Sequence, residues 1–254
     1  MKYTILKYGM LAGALLFGGC SNWLDVDPKS QVKQEALFES EAGFQDALTG
    51  IYTMMARTGM YGGHETMGFL DMVAQTYTEV IYTYEDVLKY NYEETNSKAC
   101  IDGFWEGNYS AIANCNQILA HVDERKGVFS SGVYEAVKAE ALALRAFLHF
   151  DLLRGFAFSY VTGKDELAIP YVDKVTNKPV AQSTVAEVLE RIITEAEEAR
   201  KLIREVDPLG PAYDTYTESG YKSEDFIQGG GFWLYRKSKL NYYGITAFLA
   251  RVYL

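Results

Sequence analysis

The sequence contains few cysteines. Only three occur in 254 residues, so the fold does not depend on a dense disulfide framework, and the chain is long enough to bury a core of its own. Cys100 and Cys115 have no CxxC spacing and no histidine at metal-ligand spacing. Residues 103–125 share one helical period, which carries Cys115 too far along the helix for a disulfide between the two. We therefore predict two free, buried thiols.

Basic residues are outnumbered, with 24 Lys+Arg against 34 Asp+Glu and a formal net charge of −10. A nucleic-acid partner needs a basic surface that neutralises phosphates, so this charge excludes nucleic acid. Long apolar runs are missing too, because no stretch of the chain reaches the length of a transmembrane helix. The remaining composition is that of a folded, water-facing domain.

Catalytic signatures are also missing. The sequence has no G-x-S-x-G, P-loop or G-x-G-x-x-G pattern, and an enzyme needs a positioned carboxylate pair or a nucleophile with its base. His64, His121 and His149 stand outside any HExxH pattern. We predict that the protein is not an enzyme and that it uses no metal and no cofactor.

The first residues have the pattern of an export signal. Two lysines precede an uncharged, largely apolar run at 8–19 that is too short to span a bilayer. Two glycines then precede Cys20, which completes a lipobox, although Phe17 stands where Leu is commoner. We predict a lipoprotein signal peptide at 1–19, a mature domain at 20–254 and a lipid on Cys20. The alternative is an ordinary secretory signal with a chance cysteine.

Apolar residues recur with a helical period over most of the mature chain. They predict helices at 40–57, 67–80, 103–125, 131–157 and 241–254, and a capping box at Thr184 and Glu187 opens one more. These lengths fit antiparallel helix pairs stacked as a solenoid, so the predicted fold class is all-α. Residues 82–102 and 207–239 are predicted to be long, aromatic-rich loops. For 82–102, a strand or a short turn of helix within the loop is left open.

Some of the 20 tyrosines and 3 tryptophans lie in those loops, outside any helical period. An aromatic ring can cover the apolar C–H face of a sugar while neighbouring polar groups take its hydroxyls. Tyr82, Tyr84 and Trp233 are therefore predicted ligand contacts, and the alternative is that they pack against other protein surface.

Four further side chains lie on predicted helices, where a structural role explains them better than ligand contact. Trp105 and Tyr109 are four residues apart on one face, which predicts core packing. Arg145 and Arg154 stand in an otherwise apolar helix, which predicts structural salt bridges to helix partners.

The chain resembles the SusD/RagB family of outer-membrane nutrient-binding lipoproteins. The resemblance runs in order through essentially the whole mature chain. The matching segments are CSNWLDVDP at 20–28, GIY at 50–52, the Trp, Tyr, Ile and Asn within 105–114, AEALALRAFLHFDLLR at 139–154, IPY at 169–171, STVAEV at 183–188 and AFLARVY at 247–253.

The resemblance implies tetratricopeptide-like helix pairs that form a right-handed superhelix with long aromatic-rich loops. It implies a lipid-anchored, surface-facing protein of the outer membrane that binds oligosaccharides and delivers them to a SusC-like TonB-dependent transporter. A peptide-binding RagB-like lipoprotein is the alternative, and a lipoprotein glycoside hydrolase is a third reading. Because members of the family are longer and the last predicted helix has no C-cap, we predict that 20–254 is an N-terminal part, incomplete at its C-terminus.

Overall fold

A computed structural model describes residues 34–79, 84–212, 216–217, 220–221 and 231–254. The chain divides into two compact units, Met1–Ala36 and Leu37–Leu254, and apart from residues 34–36 the fold below is that of the second unit. The predicted signal peptide at 1–19, the predicted lipidation site Cys20 and the ligand candidate Tyr82 lie outside the described residues.

The structure is built almost entirely of helices. In chain order they are α1 Gln34–Leu37, α2 Glu41–Met55, α3 Phe69–Val73, α4 Glu85–Leu88, α5 Thr95–Val122, α6 Val133–Phe156, α7 Tyr160–Gly163, α8 Val185–Arg204 and α9 Tyr242–Tyr253. Two single 3₁₀ turns lie at Lys126–Val128 and Arg236–Ser238. Two short antiparallel strand pairs join β1 Leu167–Pro170 to β2 Gln182–Thr184 and β3 Tyr216–Thr217 to β4 Gly220–Tyr221.

Three helices begin at capping residues. Ser40 caps α2 by accepting from the Gly43 amide at 3.2 Å, and Asn241 caps α9 by accepting from the Gly244 amide at 2.8 Å. Thr184 and Glu187 form the predicted reciprocal capping box of α8. Each side-chain oxygen satisfies an amide that has no partner within the helix. The helix bounds also confirm the predicted helices at 40–57, 131–157 and 241–254 to within two residues at each end.

Two predictions about the middle of the chain are wrong. The helix predicted at 67–80 is only α3, and Gln75 follows it with a φ of 57°, a left-handed conformation that breaks a helix. The loop predicted at 82–102 contains α4, a short turn of helix of the kind the prediction left open, but it also contains the first two turns of α5, which begins at Thr95. The inner face of those turns is formed by Ser97 and Cys100, a polar residue and a small apolar one, which together give only a weak apolar signal.

Successive long helices run antiparallel. Asn116 on α5 accepts from Arg145 on α6, whereas Phe104, nearer the start of α5, stacks on Phe156 at the end of α6. Arg145 in turn pairs with Glu195 on α8. The predicted all-α, tetratricopeptide-like arrangement of helix pairs is confirmed.

Helix α6 lies at the centre of the core, because it packs against both α5 and α8. Alanines at 139, 141, 143 and 146 are completely buried on it, and such small side chains let neighbouring helices approach closely. A smaller cluster packs where α3 and α4 meet the first turns of α5. It comprises Phe69, Met72, Val87, Cys100 and Phe104.

Both cysteines of the described chain are free and buried, as predicted. Burial raises the pKa of the Cys115 thiol to about 12, so it stays protonated and unreactive. Within the described ranges, the structure contains no helix that is both long and apolar enough to cross a bilayer.

Candidate functional site

The predicted ligand contacts that the structure describes lie in different parts of the core. Tyr84 is half-buried at the start of α4, where its ring meets His64 edge-on at 5.8 Å and packs on the smaller cluster. Trp233 is 4% exposed and belongs to the main core, with its ring 5.1 Å from Phe232. The structure does not bring the two together, and the burial of Trp233 is that of a core residue.

Trp105 and Tyr109 pack on the core, which confirms their predicted role. Trp105 meets Phe156 edge-on at 4.9 Å, and the Tyr109 hydroxyl donates to the Pro170 carbonyl at 2.8 Å. That hydrogen bond ties β1 to the helices.

The predicted salt bridges of Arg145 and Arg154 are also confirmed. Arg145 makes a two-pronged contact with Glu195, at 2.9 and 2.7 Å, and donates to the Asp173 carbonyl at 2.8 Å. Arg154 donates to Asp151 at 3.0 Å, one turn earlier on α6. Arg145 is buried and anchors the connection between β1 and β2, whereas Arg154 keeps 51% of its side chain exposed.

Both ring nitrogens of His149 form hydrogen bonds. Nδ1 lies 2.9 Å from the Arg145 carbonyl, and Nε2 accepts from the Val172 amide at 3.0 Å, which places the proton on Nδ1. Burial lowers the pKa of His149 to about 3, and Tyr171 stacks on its ring at 4.0 Å. Across the described residues, no group of three or more His, Cys, Asp or Glu side chains could hold a metal ion.

A cavity of about 440 Å³ opens where α3 and the segment after α4 meet α5 and α6. Its floor is apolar and its edge is polar. It is lined by Phe69, Leu70, Val73, Ala74, Tyr92, Ile101, Phe104, Asp151, Arg154, Gly155 and Phe156. An apolar cavity with a few polar groups at its edge has the character of a small-molecule binding site.

Gly155 makes the floor of this cavity possible. A Cβ at this position would lie 2.4 Å from Cε1 of Phe104, closer than side-chain atoms approach. The glycine therefore lets the Phe104 ring lie directly against the backbone of α6, where it stacks on Phe156 at 5.4 Å.

Two exposed tyrosines stand beside the cavity. Tyr92 lines it with 39% of its surface exposed, and Tyr90, 51% exposed, meets the Tyr92 ring edge-on at 6.2 Å. The Tyr90 hydroxyl donates to the Val73 carbonyl at 3.1 Å, and Tyr90 adopts a φ of 55°. A non-glycine residue in this conformation is held there by its surroundings, so Tyr90 is held in place and its ring supports that of Tyr92.

Sequence reasoning placed Tyr90 and Tyr92 in an aromatic-rich loop but did not select them. The signal that could have found them is their i, i+2 spacing around Asn91. In an extended or turning backbone, that spacing brings two rings to one side.

The polar edge of the cavity is organised around Asp151, which is 3% exposed. Its Oδ1 accepts from Arg154 at 3.0 Å and from Arg251 on α9 at 2.8 Å, and its Oδ2 accepts from the Tyr61 hydroxyl at 2.9 Å. The lining carboxylate is therefore fully engaged in ion pairs and hydrogen bonds.

Glu65 lies next to this group and is 7% exposed. Its Oε1 accepts from Asn108 at 3.0 Å, whereas its Oε2 is buried without a hydrogen-bond partner. Desolvation raises the pKa of Glu65 to about 7, and the charge on Asp151 adds to that effect.

A second buried polar group holds the segment after α8 against the core. Arg236 pairs with Glu140 on α6 and, at 3.2 Å, with Asp207, and all three side chains are essentially unexposed. Tyr52 on α2 donates to Glu140 at 2.6 Å and accepts from the Leu240 amide at 2.9 Å. Sequence reasoning missed this group because its members are far apart along the chain.

The chain matches a family model over residues 22–208, that of the SusD-like proteins described as starch-binding and associating with the outer membrane. A curated relative, the SusD-like protein P2 of Formosa agariphila, is 23% identical over 244 residues. That alignment covers 91% of this chain and 44% of the relative.

Solved structures agree on the fold. A SusD superfamily protein from Bacteroides vulgatus matches with a TM-score of 0.60 at 21% identity, over 85% of this chain and 43% of its own. A second protein from the same organism, described as a putative sugar-binding protein, matches with a TM-score of 0.62 at 22% identity, over 85% and 42%.

This chain thus spans less than half the length of the curated relative and of the two solved structures. The family model nevertheless covers most of the chain, and the helical fold agrees with it. The chain belongs to the SusD-like family of starch-binding proteins that associate with the outer membrane.

Proposed function

We propose that this protein captures an oligosaccharide at the cell surface and delivers it to a SusC-like TonB-dependent transporter. The observation that carries the proposal is the pair of exposed rings, Tyr90 and Tyr92, fixed beside an apolar cavity with an arginine at its edge. Family membership supports a carbohydrate as the ligand class.

The chemistry of a sugar suits this site. Its C–H faces pack on the tyrosine rings and the apolar floor, while its hydroxyls accept from Arg154 and exchange hydrogen bonds with the tyrosine hydroxyls. Tyr82 and Tyr84 lie in the same stretch of sequence as Tyr90 and Tyr92, and they remain proposed contacts of the sugar. The cavity lining contributes one carboxylate, Asp151, which is held in ion pairs, so the proposed role is binding without turnover.

The test is affinity electrophoresis and calorimetry of the purified chain against a glycan panel, with Tyr92→Ala and Tyr90→Ala. Loss of one stacked ring removes ~1–2 kcal/mol of contact, so we expect each variant to bind the retained glycan about tenfold more weakly. Tyr160→Ala is the matched control, because Tyr160 is 54% exposed and does not line the cavity. Unchanged affinity in both cavity variants would count against the site.

The same panel separates the alternatives. Retention of peptides and not glycans would favour a peptide-binding, RagB-like role. Turnover of a retained glycan by the purified chain would favour a lipoprotein glycoside hydrolase over a binding protein.

We also propose that the protein reaches the outer membrane through a lipid on Cys20 and faces the cell exterior. Cys20→Ala should abolish incorporation of labelled fatty acid. A labelled band that persists in this variant would contradict lipidation at Cys20. Delivery to a transporter predicts co-purification with a TonB-dependent partner, and failure to recover one under mild solubilisation would speak against delivery.

A further inference from the structure

Two arginines from different helices converge on one carboxylate at the edge of the cavity. Arg154 on α6 and Arg251 on α9 both donate to Oδ1 of Asp151, at 3.0 and 2.8 Å. Their side chains are 51% and 40% exposed, whereas that of Asp151 is 4% exposed. The carboxylate is thus covered and the two guanidinium groups face outward.

The charges at this point do not balance. One carboxylate neutralises one of the two guanidinium groups, and Oδ2 of Asp151 is already taken by the Tyr61 hydroxyl. Glu65 is the other acid that interacts with Asp151, and burial raises its pKa to about 7, so near neutral pH it is only partly ionised and adds less than a full negative charge. A chain with a net charge of −10 therefore exposes a local excess of positive charge beside its cavity.

The surroundings of the two guanidinium groups favour the binding of an anion over hydration alone. Both guanidinium groups lie over the Phe150 ring, with their central carbons 5.9 and 5.3 Å from its centroid. Arg154 also lines the cavity together with Tyr92 and the apolar floor. Apolar surroundings strengthen electrostatic attraction, and the planar fork of an arginine matches the geometry of a carboxylate or sulfate.

We propose that Arg154 and Arg251 bind an oxyanion on the captured glycan, either the carboxylate of a uronic acid or a sulfate ester. This inference rests on the proposed function, because it assigns the substrate class of the same site. Tyr92 stacks on a sugar ring, and the arginines take the charged substituent of that ring or of its neighbour.

The experiment compares matched pairs of glycans on the purified chain. One arm uses oligogalacturonates and their fully methyl-esterified forms, and another uses sulfated galactan oligosaccharides and their desulfated forms, within an array that includes neutral starch and xylan oligosaccharides. We expect the retained glycans to be anionic, with at least tenfold preference over their neutral counterparts and with affinity that falls as salt is raised. The arm that is retained identifies the oxyanion as carboxylate or sulfate.

Variants assign the preference to the arginines. Arg154→Gln should abolish the preference for the anionic member of the pair, and Arg154→Lys, which keeps the charge but loses the fork, should reduce it partly. Arg191→Gln is the matched control, because Arg191 is 49% exposed and is likewise paired with an aspartate, Asp173, away from the cavity. Thermal melting confirms folding, and Arg251→Gln carries the test if Arg154→Gln is unstable.

The outcomes separate this inference from the proposed function. Retention of neutral glycans with no preference for their anionic forms would overturn the inference and leave glycan capture standing. A full preference in folded Arg154→Gln and Arg251→Gln would overturn it as well. Retention of no glycan in the array would overturn both.

Discussion

Glu65 and His149 are both buried titratable side chains, and burial shifts their pKa values in opposite directions. Burial disfavours the charged form of each group, so the pKa of the carboxyl rises and that of the imidazole falls. The two residues therefore destabilise the fold at opposite ends of the pH scale.

For Glu65, ionisation is penalised in the folded state. Its pKa rises from 4.5 to about 7 on folding, so the stabilising effect of this shift is complete below about pH 4.5 and is lost as the pH rises to about 7. The free energy of unfolding of Glu65→Gln, relative to that of the wild type, should therefore rise by about 1–3 kcal/mol from pH 5 to pH 8. Urea unfolding at both pH values measures this difference, and an equal difference at both would contradict the prediction.

For His149, protonation is penalised in the folded state. Its pKa falls from 6.5 to about 3, so stability is full above about pH 6.5 and declines as the pH falls toward 3. His149→Gln should be less stable than the wild type at pH 7.5, because the Val172 hydrogen bond is disturbed. By pH 4.5 that deficit should shrink by about 1–3 kcal/mol. Parallel denaturation curves test this, and a constant deficit would exclude the proposed titration.

At the scale of elements, the caps decide where helices begin. Thr184→Ala removes the oxygen that accepts from the Glu187 amide and should cost about 1 kcal/mol of unfolding free energy. Thr194→Ala is the control, since Thr194 is exposed within the same helix and bonds only to the carbonyl one turn earlier. The free energy of unfolding from urea titrations compares the two variants, and equal losses would show that the cap has no special effect.

The sequence predicts a helix well when a capping residue marks its start and regularly spaced apolar residues mark its inner face. Helix α8 has a capping box and an apolar face with regular spacing, and these two features of the sequence predict the helix. Helix α5 begins without a side-chain cap at Glu94, and its first turns bury Ser97 and Cys100. Local pattern could not find that start, because it depends on what α3 and α4 pack against.

The binding cavity illustrates the same limit at the scale of the whole molecule. Tyr92 and Arg154 are 62 residues apart in the numbering, and each alone looks like a loop aromatic or a structural arginine. Only the packing of α5 on α6 brings them to one opening. The sequence therefore predicted the kinds of residue that form the site, and tertiary structure decided which of them do so.

The buried Arg236 group links α2 and α6 to the segments that follow α8. Arg236→Met would leave Glu140 and Asp207 buried without their cation, so it should cost about 3–5 kcal/mol. Arg191→Met, which removes an exposed pair with Asp173, should cost at most about 1 kcal/mol. Chemical denaturation measures both, and the triple variant with Glu140→Gln and Asp207→Asn should recover part of the loss.

Tyr52 accepts a hydrogen bond from an amide 188 residues further along the chain, and this has a consequence for the order of assembly. Helices α2, α5 and α6 can pack as soon as the first two thirds of the chain are available, because their contacts join neighbours in sequence. Until residues 236–240 have packed, however, Glu140 lacks the cation that Arg236 supplies in the folded chain. We therefore expect the core around Glu140 to reach its full stability only when the segment that carries Arg236 has packed against it.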